Sequence, residues 1–349
     1  MLDPKEVALK ARPSIKDVAA SAGVSVGTVS NVLNRPHLVS DETRGRVFEV
    51  IQRLGFVRNE SARQLRAGSS RAVGLVVIDA ANPFFMDVAR GVEDTVQEAG
   101  GVVLLGNSAG DPQRERRYVE LFEEQRVRGL LIAPTGLTPP DLSGLVRHGI
   151  PVVFLDRHPN GAPFSTVDVD DVAGGRIAVE HLLSQGHRRV AFVGGPSTLG
   201  QVHDRRRGAE DAVAARRRRG GLRLLAVSTP SLTVRSGREA AEELVAMPDS
   251  VRPTAVFAAN DLVALGLLQG FSAHGLRVPD DVAIIGYDDI EFAAAAAVPL
   301  SSVRQPREGL GRRGAELLFE ELRARESGEV IEPRHVSFQP ELVIRRSSS

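Results

Sequence analysis

Between residues 71 and 290 the chain repeats one pattern: a short, almost unbroken apolar run, then a stretch long enough for a helix. AVGLVVIDA, GVVLLGNS, RGLLIAP and IPVVFLDR make a first set of four; RRVAFVGG, LRLLAVST, PTAVFAAN and DVAIIGYDD make a second. Continuous apolar strands alternating with helical stretches indicate parallel sheets covered on both faces, so two sets predict two doubly wound α/β lobes. Sheets of this kind take ligands beyond the carboxyl ends of their strands, where this chain places Asn107, Asp156, Asn260, Asp261 and Asp288. A cleft between the lobes would collect them. Taken singly, a strand-end aspartate also serves as a helix cap or turn residue, and Asp261, ahead of an apolar helix, fits that role equally well. After the second set, SSVRQP (301–306) opens an amphipathic segment to about Arg325 that is predicted to return to the first lobe.

Ahead of this body the periodicity is helical. In IKDVAASAGVSVGTVSNVLN (15–34), Ile15, Val18, Ala19 and Ala22 fall on one face behind a Ser14 cap, and Gly23 stops the helix. Ser25 is placed to cap a second helix whose apolar stripe is Val29, Val32 and Leu33, ended by Asn34 and Pro36. A third runs from the Ser40 cap through Val47, Val50, Ile51 and Leu54 to Gly55. Three short helices with a tight turn between the first two match the helix-turn-helix pattern. The second helix would expose Ser25, Thr28, Ser30 and Asn31, whose hydroxyl and amide groups suit phosphates and base edges. Arg12, Lys16, Arg35, Arg44 and Arg58 supply flanking positive charge. A small helical bundle with no nucleic acid partner satisfies the same pattern.

Composition narrows the classes. Residues 1–71 hold twelve Lys and Arg against seven Asp and Glu, so a segment near +5 joins a body near −5 within a chain of net charge zero. A basic end on an acidic body suits a polyanion-binding module. No cysteine is present, which excludes disulfides, thiolate nucleophiles and thiolate metal sites. No apolar run approaches the roughly eighteen residues of a membrane span, and MLDPKEVALKAR does not read as a secretory signal, so a cytoplasmic protein is expected. No phosphate loop, nucleophile elbow or metal-spaced histidine cluster is found, so neither an enzyme nor a cofactor is expected. Residues 59–70, NESARQLRAGSS, begin with a cap residue and end in a flexible Gly-Ser-Ser, a pattern for one short helix that is marginal unless something holds it.

The headpiece resembles that of the lactose-repressor (LacI) family, whose signature is similar to IKDVA..AGVS..TVS.VLN followed by VS..T...V......LG..(P/R)N. That resemblance implies that Val26, Gly27 and Asn31 face bases, with Ser14, Lys16, Ser25, Thr28, Ser30, Asn34 and Arg58 completing the DNA contacts. It implies that the hinge helix enters the minor groove with Leu65 as an apolar wedge and Ala62 one turn before it. A linker leucine packed on the body is the alternative. The body resembles the type I periplasmic sugar-binding fold through ANPFF (81–85), VFLDR (153–157), GGP followed by R..G (194–208), ANDLVALG (259–266), GYDD (286–289) and SSVRQP.

The resemblance implies that Phe84 or Phe85 packs against an effector, that Asp156 and Asp261 accept hydrogen bonds from its hydroxyls, that Arg205 donates to it, and that Asp288 closes the far side. Asn107, Arg157, Gln201 and Leu232 complete the implied pocket. Leu232 stands where many relatives carry an aromatic residue, and Leu199 where purine-responsive relatives carry arginine. The clusters Arg205–Arg207 and Arg216–Arg219 are expected on one helix, as a solvated face apart from Arg205. The implied organisation is an N-terminal tail (1–12), a helix-turn-helix domain (13–58), a hinge (59–70) and an effector-binding and dimerisation domain (71–349). Lobe 1 would take about 71–170 plus 303–330, and lobe 2 about 171–302 plus 331–349. The implied function is a homodimeric transcription regulator, a repressor, bound to a pseudo-palindromic operator in double-stranded DNA and controlled allosterically by a small effector, a sugar. A nucleobase or a protein co-effector is the alternative; a sugar-binding transport receptor and an acid–base enzyme using Asp156, Asp261 or Asp288 are rivals from other classes. No leucine-heptad extension follows Arg346, so a tetramer held by a tail is not expected.

Overall fold

The computed structural model describes residues 13–56, 70–157, 163–216, 222–329 and 332–349, and the chain divides into two compact units, 1–69 and 70–349. The first contains helices α1 (Ile15–Ala22), α2 (Val26–Asn34) and α3 (Asp41–Leu54), the three expected from the sequence. Ser14 and Asp17 form a reciprocal capping box on α1, Ser25 Oγ accepts from Thr28 N at 3.0 Å on α2, and Ser40 caps α3. Gly23 and Gly55 end α1 and α3 with φ of 65° and 64°, backbone that glycine adopts without strain. Val18, Ala19, Ala22, Val29, Val32, Val47 and Val50 bury one another into a small core. Burying a valine such as Val29, which is fully enclosed, stabilises by about 1.5–3 kcal/mol, and this replaces charge as the reason so apolar a segment folds.

The second unit holds two six-stranded sheets. Strands β1 (Ala72–Val77), β2 (Val102–Asn107), β3 (Gly129–Ile132), β4 (Val152–Leu155) and β5 (Ser165–Val169) enclose helices α4 (Pro83–Glu98), α5 (Pro112–Glu124) and α6 (Ser143–Arg147). Next come α7 (Asp171–Ser184), β6 (Arg189–Val193), α8 (Gly200–Ala215), β7 (Arg223–Val227), α9 (Val234–Val245), β8 (Ala255–Ala258), α10 (Asp261–Ala273), β9 (Ala283–Asp288), α11 (Glu291–Ala295) and β10 (Ser301–Arg304). The chain ends with α12 (Arg307–Ser327), β11 (His335–Phe338) and β12 (Glu341–Val343). The sheet orders are β11-β5-β4-β3-β1-β2 and β12-β10-β9-β8-β6-β7, parallel throughout except where β12 meets β10. Every apolar run read from the sequence is one of these strands.

Both faces of the central strands are buried, and alternate residues feed different cores. On β3 and β4, Leu131, Val153 and Leu155 join the core under α4 and α12, whereas Leu130, Ile132, Val152 and Phe154 join the one under α5 and α6. The edge strand β2 departs from this, with Val102, Leu104 and Leu105 exposed. The assignment of 331–349 to lobe 2 needs correction. His335–Phe338 pair in parallel with β5, so β11 belongs to the first sheet, while the whole of β10, Val303 and Arg304 included, belongs to the second. The reason is α12: it packs on α4 and on β3, β4 and β5, which delivers the chain to the open edge of the first sheet before it can cross back. The lobes are thus joined by three crossings, at 169–171, 304–307 and 338–341. Among the described residues no helix is long and apolar enough to span a membrane.

Candidate functional site

The strand ends of the two lobes meet where Gln201 reaches Asp156 and Asn82 reaches Asp288, with one buried guanidinium, Arg205, on the second-lobe side. Arg205, on the second turn of α8 and 4 % exposed, donates from Nε to Asp171 Oδ1 at 2.7 Å and from Nη1 to the Ala259 carbonyl at 2.8 Å. Its Nη1 lies 3.8 Å from Asp288 Oδ1, and its guanidinium carbon sits 3.7 Å over the Tyr287 ring. The R..G spacing has a packing reason. A Cβ on Gly208 would collide with the Val172 carbonyl of α7, and one on Gly175 with the Arg205 carbonyl, so paired glycines let α7 and α8 close until Arg205 reaches Asp171.

Asp156 follows β4 and is buried; its Oδ2 accepts from Gln201 Nε2 at 2.8 Å, while its Oδ1 has no protein partner. Asp288 ends β9; its Oδ1 accepts from Gln305 Nε2 at 2.8 Å, and Asn82 also donates to it. Gln305 Oε1 is a second buried acceptor without a protein partner. Asp156, Asp288 and Asp289 have φ of 58°, 99° and 50°, left-handed backbone that side chains rarely adopt and that gathers at functional sites. Burial first, then the charge of Asp171, hold the Asp156 carboxyl well above its ordinary range despite Arg205 and Gln201. Burial likewise raises Asp288 to about 6 against the pull of Arg205, Gln305 and Asn82. Three buried carboxyls around one cation cannot all ionise cheaply.

Asp261 requires correction as an acceptor for ligand hydroxyls. It is fully enclosed; Oδ1 accepts from Ser302 Oγ at 2.7 Å and Oδ2 from Ile290 N at 2.9 Å. Gly286 is glycine because a Cβ there would strike Asp261 Oδ1, so this carboxylate locks the ends of β9 and β10. The helix cap is its neighbour Asn260, whose Oδ1 accepts from Val263 N at 3.0 Å. Asn107 is likewise engaged locally, its Oδ1 accepting from Ala80 N and Ala109 N to shape the turn after β2. Phe84 and Phe85 are buried and pack edge to face, 5.0 Å between centroids. Arg157 stands beside Gly200 at the start of α8, and Leu232 packs partly buried against the core, its carbonyl accepting from Asn260 Nδ2.

Asn82, Asp171, Tyr287 and Gln305 are site residues that the sequence reading missed individually, although ANPFF, GYDD and SSVRQP contain three of them. Asp171 carried no signal beyond a pair of acids after a strand. On the basic helix, Arg206 pairs with Glu210 and Arg207 with Asp204, as a solvated face would; Arg216 donates to the Glu180 carbonyl, and Arg217–Arg219 lie outside the described residues.

In the first unit, Val26, Gly27 and Asn31 are exposed on α2, and Lys16 and Arg35 are exposed beside it. Ser14 and Ser25 are occupied as caps, Thr28 hydrogen-bonds Ser25, and Asn34 folds back to donate to the Ser30 carbonyl and hydroxyl. Arg44 is paired with Asp41 at 2.8 Å. Arg12, Arg58, Ala62, Leu65 and most of the expected hinge helix lie outside the described residues.

Residues 14–59 match the family described as bacterial regulatory proteins, lacI family, and residues 179–348 match a periplasmic binding protein-like domain. The HTH-type transcriptional repressor PurR of Photobacterium profundum is 33% identical over 337 residues, covering 96% of this chain and 98% of that one. The ribose operon repressor of Bacillus subtilis is 35% identical over 306 residues, 88% of this chain and 90% of that one. Among solved structures, the complex of the transcriptional regulator CelR with cellobiose superposes with a TM-score of 0.69 at 35% identity, covering 96% of this chain and 100% of that one. The lac repressor dimer bound to operator and an anti-inducer superposes at 0.79 with 26% identity, covering 96% and 99%. The chain belongs to the lacI family of bacterial regulatory proteins. Its class is that of DNA-binding transcription repressors rather than enzymes.

Proposed function

We propose that this repressor acts as a homodimer on a two-fold-related operator and that a sugar, held between the lobes, sets its affinity for DNA. The observation that carries the ligand class is the pair of buried acceptors without protein donors, Asp156 Oδ1 and Gln305 Oε1, flanking the Arg205–Asp288 contact. Unpaired buried acceptors are costly, and neighbouring hydroxyls, each able to donate and accept, satisfy them while also receiving from a guanidinium. Structures of similar chains with cellobiose, ribose and xylulofuranose bound agree with this chemistry. A nucleobase is the second reading, favoured by the extent of the match to repressors named PurR; Leu199, buried at the head of α8, offers such a base no hydrogen bond from its side chain. The exposed apolar edge of β2, with Val102 59 % exposed, supports a second copy as the dimer partner.

Dye-reported thermal unfolding against mono- and disaccharides, sugar phosphates and nucleobases tests the ligand class in a chain without tryptophan. A sugar at about 100 times its dissociation constant stabilises the folded state by about 2.7 kcal/mol. A saturable shift with a nucleobase instead would transfer the site to the second reading, and silence across the panel would favour a protein co-effector. Operator binding is expected to weaken by about a thousandfold or more between about 50 and 200 mM salt if the dimer neutralises about six to ten phosphates. Titration by fluorescence anisotropy reads this directly, and a flat salt dependence would remove the phosphate contacts.

A further inference from the structure

We propose that Arg307 is a positioning residue, a clamp that fixes the two lobes in the relation seen here and ties that relation to helix α4. This rests on the reading of the interlobe cleft as the effector site, and it adds the residue that fixes the joint. Arg307 is the first residue of α12, directly after the crossing from β10. Its Nε donates to Asp87 Oδ2 at 2.8 Å on the first lobe. Its Nη1 donates to the Asp288 carbonyl at 2.6 Å and to the Asp289 carbonyl, both on the second lobe.

The first-lobe side of this joint is rigid. Helices α4 and α12 approach until their backbones touch: a Cβ on Gly91 would collide with the Glu308 carbonyl, and one on Gly311 with the Val88 carbonyl. Arg90 lies 3.5 Å from Glu308 and 3.9 Å from Asp87, so the Arg307–Asp87 pair sits within a charge-balanced seam. The second-lobe side is the left-handed turn at Asp288 and Asp289, the turn that also presents the Asp288 carboxylate to the cleft. The Asp289 carboxylate is engaged by Arg304 and Arg345 and so does not compete for Arg307. Asn82, the cap of α4, reaches the same Asp288 carboxylate. One helix, α4, is therefore held at its start by the ligand-facing carboxylate and one turn later by the clamp. A guanidinium can serve a carboxylate and carbonyls at once through separate N–H groups in a fixed fork, whereas an ammonium cannot match that geometry.

The absence of native cysteine allows a clean test. Nitroxide labels at Glu120→Cys on α5 and Glu243→Cys on α9, both exposed, report the interlobe distance in the ligand-free full chain by pulsed dipolar spectroscopy, diluted with unlabelled protein. Arg307→Met is expected to lengthen and broaden the distribution, and Asp87→Asn to do the same. The two together should go no further than either alone, since both break one joint. Arg307→Lys should restore only part of the wild-type distribution. Asp94→Asn, an exposed acid on the same helix, should leave it unchanged. A wild-type distribution in Arg307→Met and Asp87→Asn overturns the clamp, as does an equal shift in Asp94→Asn; if Arg307→Met does not fold, Asp87→Asn decides. No ligand is added, so a silent sugar panel would remove the ligand class and leave this outcome standing.

Discussion

Arg205→Met is expected to cost the effector-binding lobes about 3–5 kcal/mol of stability at neutral pH and to abolish any effector response. Methionine fills much of the same space, so the loss is electrostatic. Arg205 is the buried cation facing Asp156, Asp171 and Asp288, and it lowers the pKa of each. The sign of the pH dependence follows. With Arg205 in place, burial already raises Asp288 from 3.8 to about 6, so the folded chain binds more protons than the unfolded one between those values, and stability is lost as pH rises through that window. Without Arg205 the three carboxyls are pushed higher still, and the window extends toward neutrality. The deficit of the variant should therefore be largest near pH 7 and shrink toward about pH 5, at about 1.4 kcal/mol per unit of pKa change for each group. Denaturant titration of wild type and variant at both pH values measures it; a deficit independent of pH would show that packing, not charge, is what Arg205 contributes.

Gly208→Val should destabilise the same unit by about 3 kcal/mol and weaken the effector response, although Gly208 lies in the seam between α7 and α8. Its added Cβ meets the Val172 carbonyl, a backbone atom of α7 that cannot rotate away, so α8 must shift outward and take Gln201 and Arg205 with it. Gly309→Ala makes the matched control. There the nearest atom, on Pro306, would be 3.4 Å from the new Cβ, ordinary contact within a helix, and the change should be neutral or stabilising by about 0.5–1 kcal/mol. Calorimetry on both variants, with operator release followed during effector titration, separates the cases. Wild-type stability in Gly208→Val would mean that α7 and α8 part at little cost and that the glycine does not deliver Arg205.

The parts legible in the sequence are those whose causes are local. Ser14, Ser25 and Ser40 cap helices within three residues, and each long apolar run is a strand, buried on both faces except at the sheet edges β2 and β7. The parts missed depend on partners far along the chain. Asp261 reads as a strand-end acceptor until Ser302, 41 positions on, takes one oxygen and Ile290 the other. HVSF at 335–338 is four residues with every second one exposed, too short to announce that it would join the first sheet. Asp171 became visible only once Arg205 was seen to reach it, and the left-handed turns at Asp156 and Asp288 leave no trace in residue type beyond a tolerance of aspartate for that backbone. Gln201 and Arg205, whose side chains reach Asp156 and Asp171, were singled out because they belong to a resembled family's pattern, not because their own neighbourhoods dictate a role.

The interleaving of the lobes also orders events during synthesis. Helices α1 to α3 depend on contacts among residues 14–56 alone, so that unit can be complete soon after it leaves the ribosome. Neither sheet can be. The first waits for β11 to reach β5 across some 170 positions, and the second waits for β12 to reach β10. At about 5–20 residues per second, tens of seconds of translation separate a finished DNA reader from a finished effector cleft. A chain interrupted in that interval would carry the folded three-helix unit ahead of two unfinished sheets, so a premature stop anywhere in the body before β12 is predicted to spare the core of the first unit while leaving the second without its closing strands.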